Sequence, residues 1–282
     1  MELPLVIGIG EYLWDMLPDG KKAGGAPVNF AFHASRHGAI GWAVSAVGND
    51  ALGDELVRTA EENGIDLCVS REDFPTGTVK VTLADGMPSY EICEDVAWDH
   101  IHVTPHAAQL AGAASAVCFG SLAQRSPDSR AAIRELVDMA TSAALKVFDV
   151  NLRQSYYDAG IVKESLHLCN VLKINDEELE VLKPLLGYEG LGTDSVCSRL
   201  IRDYSLKMVI LTAGDKFSSV YSPDGVSTIA TPRVEVADTV GAGDAFAGAF
   251  VAAILNGASI AEAHELAVET AADVCMKQGA WV

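Results

Sequence analysis

Short β-branched runs alternate with helical patterns over most of the 282 residues, and that alternation is the strongest constraint on the fold. Repeated strand–helix units build a largely parallel sheet with helices on its faces. "PLVIGIG" (4–10) reads as a buried strand. "APVNFAFHASRHG" follows as a helix, with Pro27 near its first turn and Gly38 suited to its C-terminal turn. "IGWAVSAVG" (40–48), "AASAVCFG" (113–120), "ALKVFDVN" (144–151), "NVLKIN" (170–175) and "LKMVILTAG" (206–214) continue the rhythm. Between two of them "SPDSR" starts a helix, with Ser126 as N-cap and Pro127 after it. "FSSVYS" and "VSTIAT" read as a hairpin around "PDG", and the last third is helical over 244–256 and about 260–277.

Two segments break the rhythm. "TGTVKVTLADGMPSYEICED" (76–95) alternates in period two around a turn-rich "ADGMP", the pattern of a hairpin with one wet face. "GEYLWDMLPDGKKAGG" (10–25) has strand character between turn residues. Together, over approximately 11–23 and 76–95, they predict a small sheet at one edge of the βα core, either a lid or a plain edge extension. No repeat, low-complexity tract or flexible linker divides the chain, so residues 1–282 read as one domain.

The formal net charge of −19, with acidic residues scattered along the chain, argues against nucleic acid and against anionic membranes, both of which require a basic surface. It does not exclude nucleotides, because backbone dipoles and metal ions supply positive potential locally. The six cysteines (Cys68, Cys93, Cys118, Cys169, Cys197 and Cys275) form no CxxC pair and read as buried thiols of a reduced compartment. "MELPLVIGIGEYLWD" has no basic start and only a short apolar run, and no apolar run elsewhere is long enough to span a bilayer, so a cytoplasmic location is expected.

The densest chemistry lies in "VADTVGAGDAFAG" (236–248). A helix starting near Gly243 leaves backbone N–H groups unpaired and favours an anion there, while Gly241, Ala242 and Gly243 add almost no bulk. Asp244 would repel a resting phosphate but suits a general base that takes a proton from an attacking hydroxyl. An aspartate that merely stabilises a helix start is the other reading. In "NDEE", Asn175 and Glu178 make a helix-capping arrangement. "DHIHVTPH" sets His100 and His102 on one strand face, but Pro105 breaks the pattern before His106, and no further ligand motif supports a metal site.

"DTVGAGDAF" (238–246) resembles the C-terminal signature of the ribokinase-like (pfkB-type) carbohydrate kinases, and four further stretches follow in that family's order. "GGAPVNFAFHASRHGA" is similar to its N-terminal signature, "VGNDALGDEL" to its G-x-D-x-x-G continuation, "FDVNLRQSYYD" to its D-x-N-x-R segment and "LKINDEEL" to its N-x-x-E motif. The resemblance implies a three-layer fold with a mostly parallel central sheet and a small β lid over a sugar site. It implies transfer of the ATP γ-phosphoryl group to a hydroxymethyl group, with Asp244 as base and the backbone of Gly241, Ala242 and Gly243 as anion hole. Glu178 would organise Mg²⁺ through water, and Thr212 and Gly214 in "LTAGDKF" would border the nucleotide, with Lys216 open to an ordinary turn role.

At the sugar the resemblance points to Asp15, whose carboxylate can accept from two vicinal hydroxyls, with Gly24, Gly25 and Asn29 beside it. Arg153 meets a substrate or phosphate oxygen, or pairs with a nearby acid. Asp238 marks where parts of the family hold a monovalent cation such as K⁺. Trp98 packs in the core or against lid and sugar. "GEYLWDMLPDG", "EDVAWDHI" and "FDVNLR" look most like the fructokinase branch, with ribose, ketodeoxygluconate or a nucleoside as other acceptors and a catalytically silent sugar-binding regulator as the rival class. An uncovered lid exposes strand edges, so a homodimer through the lid is a further expectation.

Overall fold

The computed structural model describes residues 2–17, 20–84 and 87–282, with the side chains of 81–90 left aside. The first half runs β1 (Leu5–Ile9), β2 (Leu13–Leu17), β3 (Gly20–Gly24), α1 (Ala26–Arg36), β4 (Ile40–Gly48), α2 (Ala51–Glu62), β5 (Asp66–Glu72), β6 (Gly77–Ala84) and β7 (Met87–Ile92). It continues with α3 (Pro105–Ala113), β8 (Ala116–Gly120), α4 (Pro127–Met139), β9 (Leu145–Asp149), α5 (Ala159–Leu168), β10 (Val171–Asn175) and α6 (Asp176–Leu186). The last part is α7 (Thr193–Tyr204), β11 (Met208–Thr212), β12 (Phe217–Ser222), β13 (Gly225–Ala230), α8 (Ala242–Leu255) and α9 (Ile260–Cys275).

Nine strands form one sheet in the order β13-β12-β11-β10-β9-β8-β1-β4-β5. The pairings from β5 to β11 are parallel and the β11-β12-β13 meander closes the far edge antiparallel. The strands are apolar on both faces because helices cover both, as "LVIGI" and "MVILT" show with Ile7, Ile9, Val209 and Leu211 fully buried. After β1 the chain builds β4 and β5 on one side and then crosses to β8 on the other. The C-terminal ends of β1 and β8 therefore flank a topological switch, where open α/β sheets bind ligands.

The two out-of-rhythm segments meet in a second sheet of four strands, β3-β2-β6-β7, with β2 parallel to β6 and antiparallel hairpins on either side. In the turn expected in "ADGMP", Asp85 and Gly86 lie outside the described residues, as do Pro18 and Asp19 of "GEYLWDMLPDGKKAGG". Trp98 is fully buried at the base of this sheet, so close to β6 that a Cβ on Gly77 would lie 2.2 Å from its indole nitrogen. The Arg125 guanidinium lies 4.0 Å from its ring. Trp98 thus packs in the core under the strands of the small sheet.

α1 and α8 pack directly on each other. A Cβ on Gly248 would stand 2.7 Å from the Phe30 carbonyl oxygen, a clash that only glycine avoids. This close approach sets the distance between Asn29 on α1 and the start of α8. Ser126 does stand at the N-cap of α4, yet its hydroxyl donates to the Asp99 carbonyl and leaves the helix amides uncapped. Among the described residues no helix is long and apolar enough to cross a membrane.

Candidate active site

Asp244 lies in the first turn of α8, where the sequence puts it. The helix opens on Gly241 at φ 81°, in the left-handed region, and a Cβ there would press to 2.6 Å from that of Ala280. Both facts require glycine. The N–H groups of Gly243 and Asp244 find no acceptor among the described residues, whereas Ala242 N–H donates to Thr239 at 3.3 Å. Two free amides at the positive end of a 14-residue helix form an anion-binding corner.

Three groups surround the Asp244 carboxylate. Asn29 Nδ2 donates to its Oδ2 at 2.8 Å. Lys173 and Asp149 form a buried ion pair at 2.8 Å, and a Cβ on Gly243 would come within 3.1 Å of the Lys173 ammonium, which therefore lies directly under the turn that opens α8. Glu11, 4 % exposed just beyond β1, has Oε2 without a hydrogen-bond partner among the described residues. Burial first, and then the charge of Asp149, push the Asp244 carboxyl up to about 6, against the pull of Lys173, Asn29 and Arg153. A carboxylate tuned to that range remains ionised at neutral pH yet takes a proton more readily than an exposed aspartate. Glu11 is pushed up to about 7 by burial, opposed by its own backbone N–H, by Arg153 and by the Ala26 N–H, with Asp244 adding to the rise. Lys173 is held above its ordinary value: burial works against the charged form, and Asp149, Asp244 and Glu178 outweigh it.

Of the residues expected at the sugar, Asp15, Gly24, Gly25 and Asn29 lie where the small sheet runs into the start of α1. Asp15 on β2 pairs in register with Lys22, and a Cβ on Gly24 would meet its carboxylate at 3.1 Å. Burial raises the Asp15 carboxyl, while Arg153 and Lys22 draw it down. Gly25, at the N-cap of α1 with φ 135°, approaches the Glu11 carbonyl too closely for any side chain. Arg153 is exposed on the loop after β9, between Asn151 and Gln154, both with positive φ, and its charge reaches Glu11, Asp15 and Asp244. Asn29 faces Asp244, and its Oδ1 accepts from the Trp281 indole at 2.7 Å, so one Nδ2 hydrogen is left for a substrate.

Of the residues expected at the nucleotide, Asn175 and Glu178 form a complete capping box at α6. Glu178 also accepts the Leu152 N–H at 2.9 Å, tying the Arg153 loop to that helix. Its carboxyl is raised by burial and by Asp149, with Lys173 and the two backbone N–H groups opposing. Thr212 ends β11 beside Asn175, and Gly214 follows at φ 53°. Lys216 pairs with Asp176 at 3.0 Å, an exposed ion pair. Asp238 accepts from Val240 and Gly279 N–H groups and lies 3.4 Å from Lys22 Nζ. These bonds hold it below the usual range against the burial that raises it.

Among the described residues no group of three or more acidic, histidine or cysteine side chains is placed to hold a metal directly. Mg²⁺ commonly takes one or two carboxylates, phosphate oxygens and water, and buried Glu178, each of whose oxygens accepts one backbone N–H, keeps lone pairs that suit a metal-bound water. The three histidines of "DHIHVTPH" are spent locally: His100 stacks 3.5 Å from Phe74, His102 meets Glu72 at 3.1 Å, and His106 packs edge-on to Trp42.

Glu11, Lys173 and Trp281 are the site residues that sequence reasoning missed. A lysine inside the apolar run "VLKIN" and a glutamate directly after "VIGIG" were the available signals, since charges in buried strands persist only when paired or functional. Trp281 carried no such mark.

The model of the pfkB family of carbohydrate kinases matches residues 19–281, and the chain belongs to this family. Fructokinase-1 of Zea mays is 28 % identical over 94 % of this chain and 88 % of its own, and the ATP-dependent 6-phosphofructokinase of Thermoanaerobacterium thermosaccharolyticum is 27 % identical over 93 % and 84 %. An uncharacterized sugar kinase of Pyrococcus horikoshii, solved in complex with ATP, superposes with a TM-score of 0.82 at 29 % identity over 98 % of this chain and 94 % of that one. The protein is an ATP-dependent carbohydrate kinase with the ribokinase-like fold, and its resemblance is to the fructokinase branch.

Proposed function

We propose that the chain phosphorylates the hydroxymethyl group of a small sugar, fructose first among acceptors, with Asp244 as the general base. The observation that carries the reading is a carboxylate with one oxygen anchored by Asn29 beside two free helix-terminal amides. Asp244 Oδ1, which accepts no hydrogen bond among the described residues, takes the hydroxyl proton as the sugar oxygen attacks the γ-phosphorus. The P–O bond to the β-phosphate breaks and ADP leaves. Gly243 and Asp244 N–H groups and the α8 dipole receive the transferred group, with Lys173 beneath them adding fixed positive charge. Bound through water to Glu178, Mg²⁺ would neutralise phosphate charge.

Asp15, Gly24, Gly25 and the remaining Asn29 hydrogen hold the sugar under the small sheet, which acts as a lid, while Thr212 and Gly214 border the nucleotide. Arg153, whose charge reaches both Asp15 and Asp244, meets the acceptor or the migrating phosphoryl group. The test is ADP release with MgATP across fructose, fructose 6-phosphate, ribose, ketodeoxygluconate and adenosine, with Asp244→Ala as control. Turnover on fructose that the variant loses supports both acceptor and base. Turnover on another acceptor keeps the chemistry and replaces the sugar. Sugar binding by calorimetry with no turnover on any of them moves the reading to a silent regulator.

A further inference from the structure

Residues 278–281 are bonded to both halves of the site, one residue after another. Gln278 Nε2 donates to the Ala237 carbonyl at 3.0 Å, and Gly279 N–H donates to Asp238 Oδ2 at 3.1 Å. Ala280 fills the space above Gly241, and its carbonyl accepts from His33 Nε2 at 2.8 Å. Burial pulls the His33 imidazole down to about 4, so it is neutral and donates this one bond. Trp281 then places its ring beside Tyr12 and Phe32, at centroid distances of 6.4 and 6.3 Å, and donates its indole N–H to Asn29 Oδ1 at 2.7 Å. The segment joins the phosphate turn to α1 at the point where Asn29 meets Asp244.

The last bond decides an orientation. A carboxamide can be turned end for end at little cost, so the side of Asn29 that faces Asp244 is set by both of its neighbours together. Indole Nε1 can only donate and an ionised carboxylate can only accept. With Trp281 on one side and Asp244 on the other, only one orientation satisfies both. Turning the amide would set N–H against N–H and oxygen against carboxylate. Without the indole N–H, the second orientation opposes Asp244 alone, and water or a substrate hydroxyl can compete for Asn29.

We propose that Trp281 is a positioning residue for the phosphoryl transfer: through Asn29 it fixes Asp244 Oδ2 and leaves Oδ1 as the oxygen that takes the proton. This rests on the reading of Asp244 as the base. Trp281 touches no reacting atom itself. Its effect belongs in turnover and in the protonation of Asp244, whose other charged neighbours are Asp149, Lys173, Glu11 and Arg153.

The test replaces Trp281 in the full chain with Phe, and separately with β-(3-benzothienyl)alanine, which keeps the bicyclic volume and exchanges only the N–H for sulfur. The second variant decides the question where the first fails to fold. Turnover should fall by about fivefold to tenfold, as expected for losing one hydrogen bond that orders a catalytic group. KM for the sugar should rise as well, but by less than turnover falls, because the second Asn29 hydrogen also meets the sugar. The acid limb of the kcat profile should move to higher pH, since Asp244 loses the N–H that favours its charged form. The side-chain amide signals of Asn29 in ¹⁵N spectra should shift and exchange faster in both variants. Combined with Asn29→Ala, the Trp281 substitution should cost nothing further, because both act through one bond.

Unchanged turnover, pH profile and Asn29 amide signals in the benzothienylalanine protein would overturn the inference, as would full additivity with Asn29→Ala. Asp244→Asn, measured alongside, separates the two readings. If that variant keeps its activity, the base assignment falls and this inference falls with it. If it is inactive while the Trp281 variants behave as the parent, only the inference falls.

Discussion

Asn29 and Asp244 lie 215 positions apart in sequence, and the Asn29 amide donates to the Asp244 carboxylate at 2.8 Å. The contact exists because Gly248 lets α8 rest against the backbone of α1. Asp244→Asn should therefore leave the fold intact and lower kcat by about three or more orders of magnitude, as expected for the loss of a general base. The carboxyl is raised to about 6 in the folded chain, so its ionisation opposes folding above that pH. The variant should accordingly match or exceed the parent's melting temperature at pH 8. A loss of turnover under tenfold in folded protein would remove Asp244 from the role of base.

Glu11 allows a cleaner linkage measurement, because it is buried and one of its oxygens has no partner among the described residues. Its carboxyl is raised from 4.5 to about 7, so the folded chain holds this proton more tightly than the unfolded chain does. The stability it contributes is present below pH 4.5 and is lost as pH rises through 7. Glu11→Gln is permanently neutral. It should match the parent in acid and become more stable by about 3 kcal/mol above pH 7. Urea unfolding across that window checks the sign, and a pH-independent difference would contradict it.

Lys22 and Asp238 meet at 3.4 Å between the edge strand of the small sheet and the segment that leads into α8. Lys22 is open to solvent and Asp238 keeps two backbone N–H donors without it, so Lys22→Met should cost less than about 1 kcal/mol in stability. The ammonium also supplies a positive charge at Asp238, where a monovalent cation was expected. Removing it should make turnover depend more strongly on K⁺ than in the parent. Initial rates in K⁺ and in tetramethylammonium salts measure this, and equal ratios for the two proteins would dismiss the link.

The sheet was legible in the sequence wherever a strand is buried on both faces, since a short β-branched run has few other uses. "IGWAVSAVG" matches β4 residue for residue. β5 escaped notice because "DLCVSRE" pairs with β4 alone and mixes polar with apolar residues, as an edge strand does. α3 escaped because Pro105 reads as a break, although it occupies a first-turn position at which a missing N–H costs nothing. At the site, Asp244 and its glycines were legible because their chemistry is local in sequence. The Lys173–Asp149 pair and the Trp281–Asn29 contact were not, because each depends on which elements the sheet order and the helix packing bring together.

Lys173 and Asp149, on neighbouring strands β10 and β9, form the most consequential of these contacts. Both are buried, and no other cation is bonded to Asp149 among the described residues. Lys173→Met keeps the length and apolar stem but leaves Asp149 buried and unpaired, which should destabilise the fold by about 3–5 kcal/mol. Replacing both, as Lys173→Met with Asp149→Leu, should recover most of that loss, because two apolar side chains need no partner there. Activity should not recover with it. Lys173 also draws the Asp244 carboxyl down and underlies the phosphate turn, so the double variant should stay at least about tenfold below the parent in kcat. Thermal unfolding and steady-state rates on the same preparations separate the two effects. Recovery of both would make the pair purely structural, and recovery of neither would mean that Asp149 acts on the site independently of Lys173.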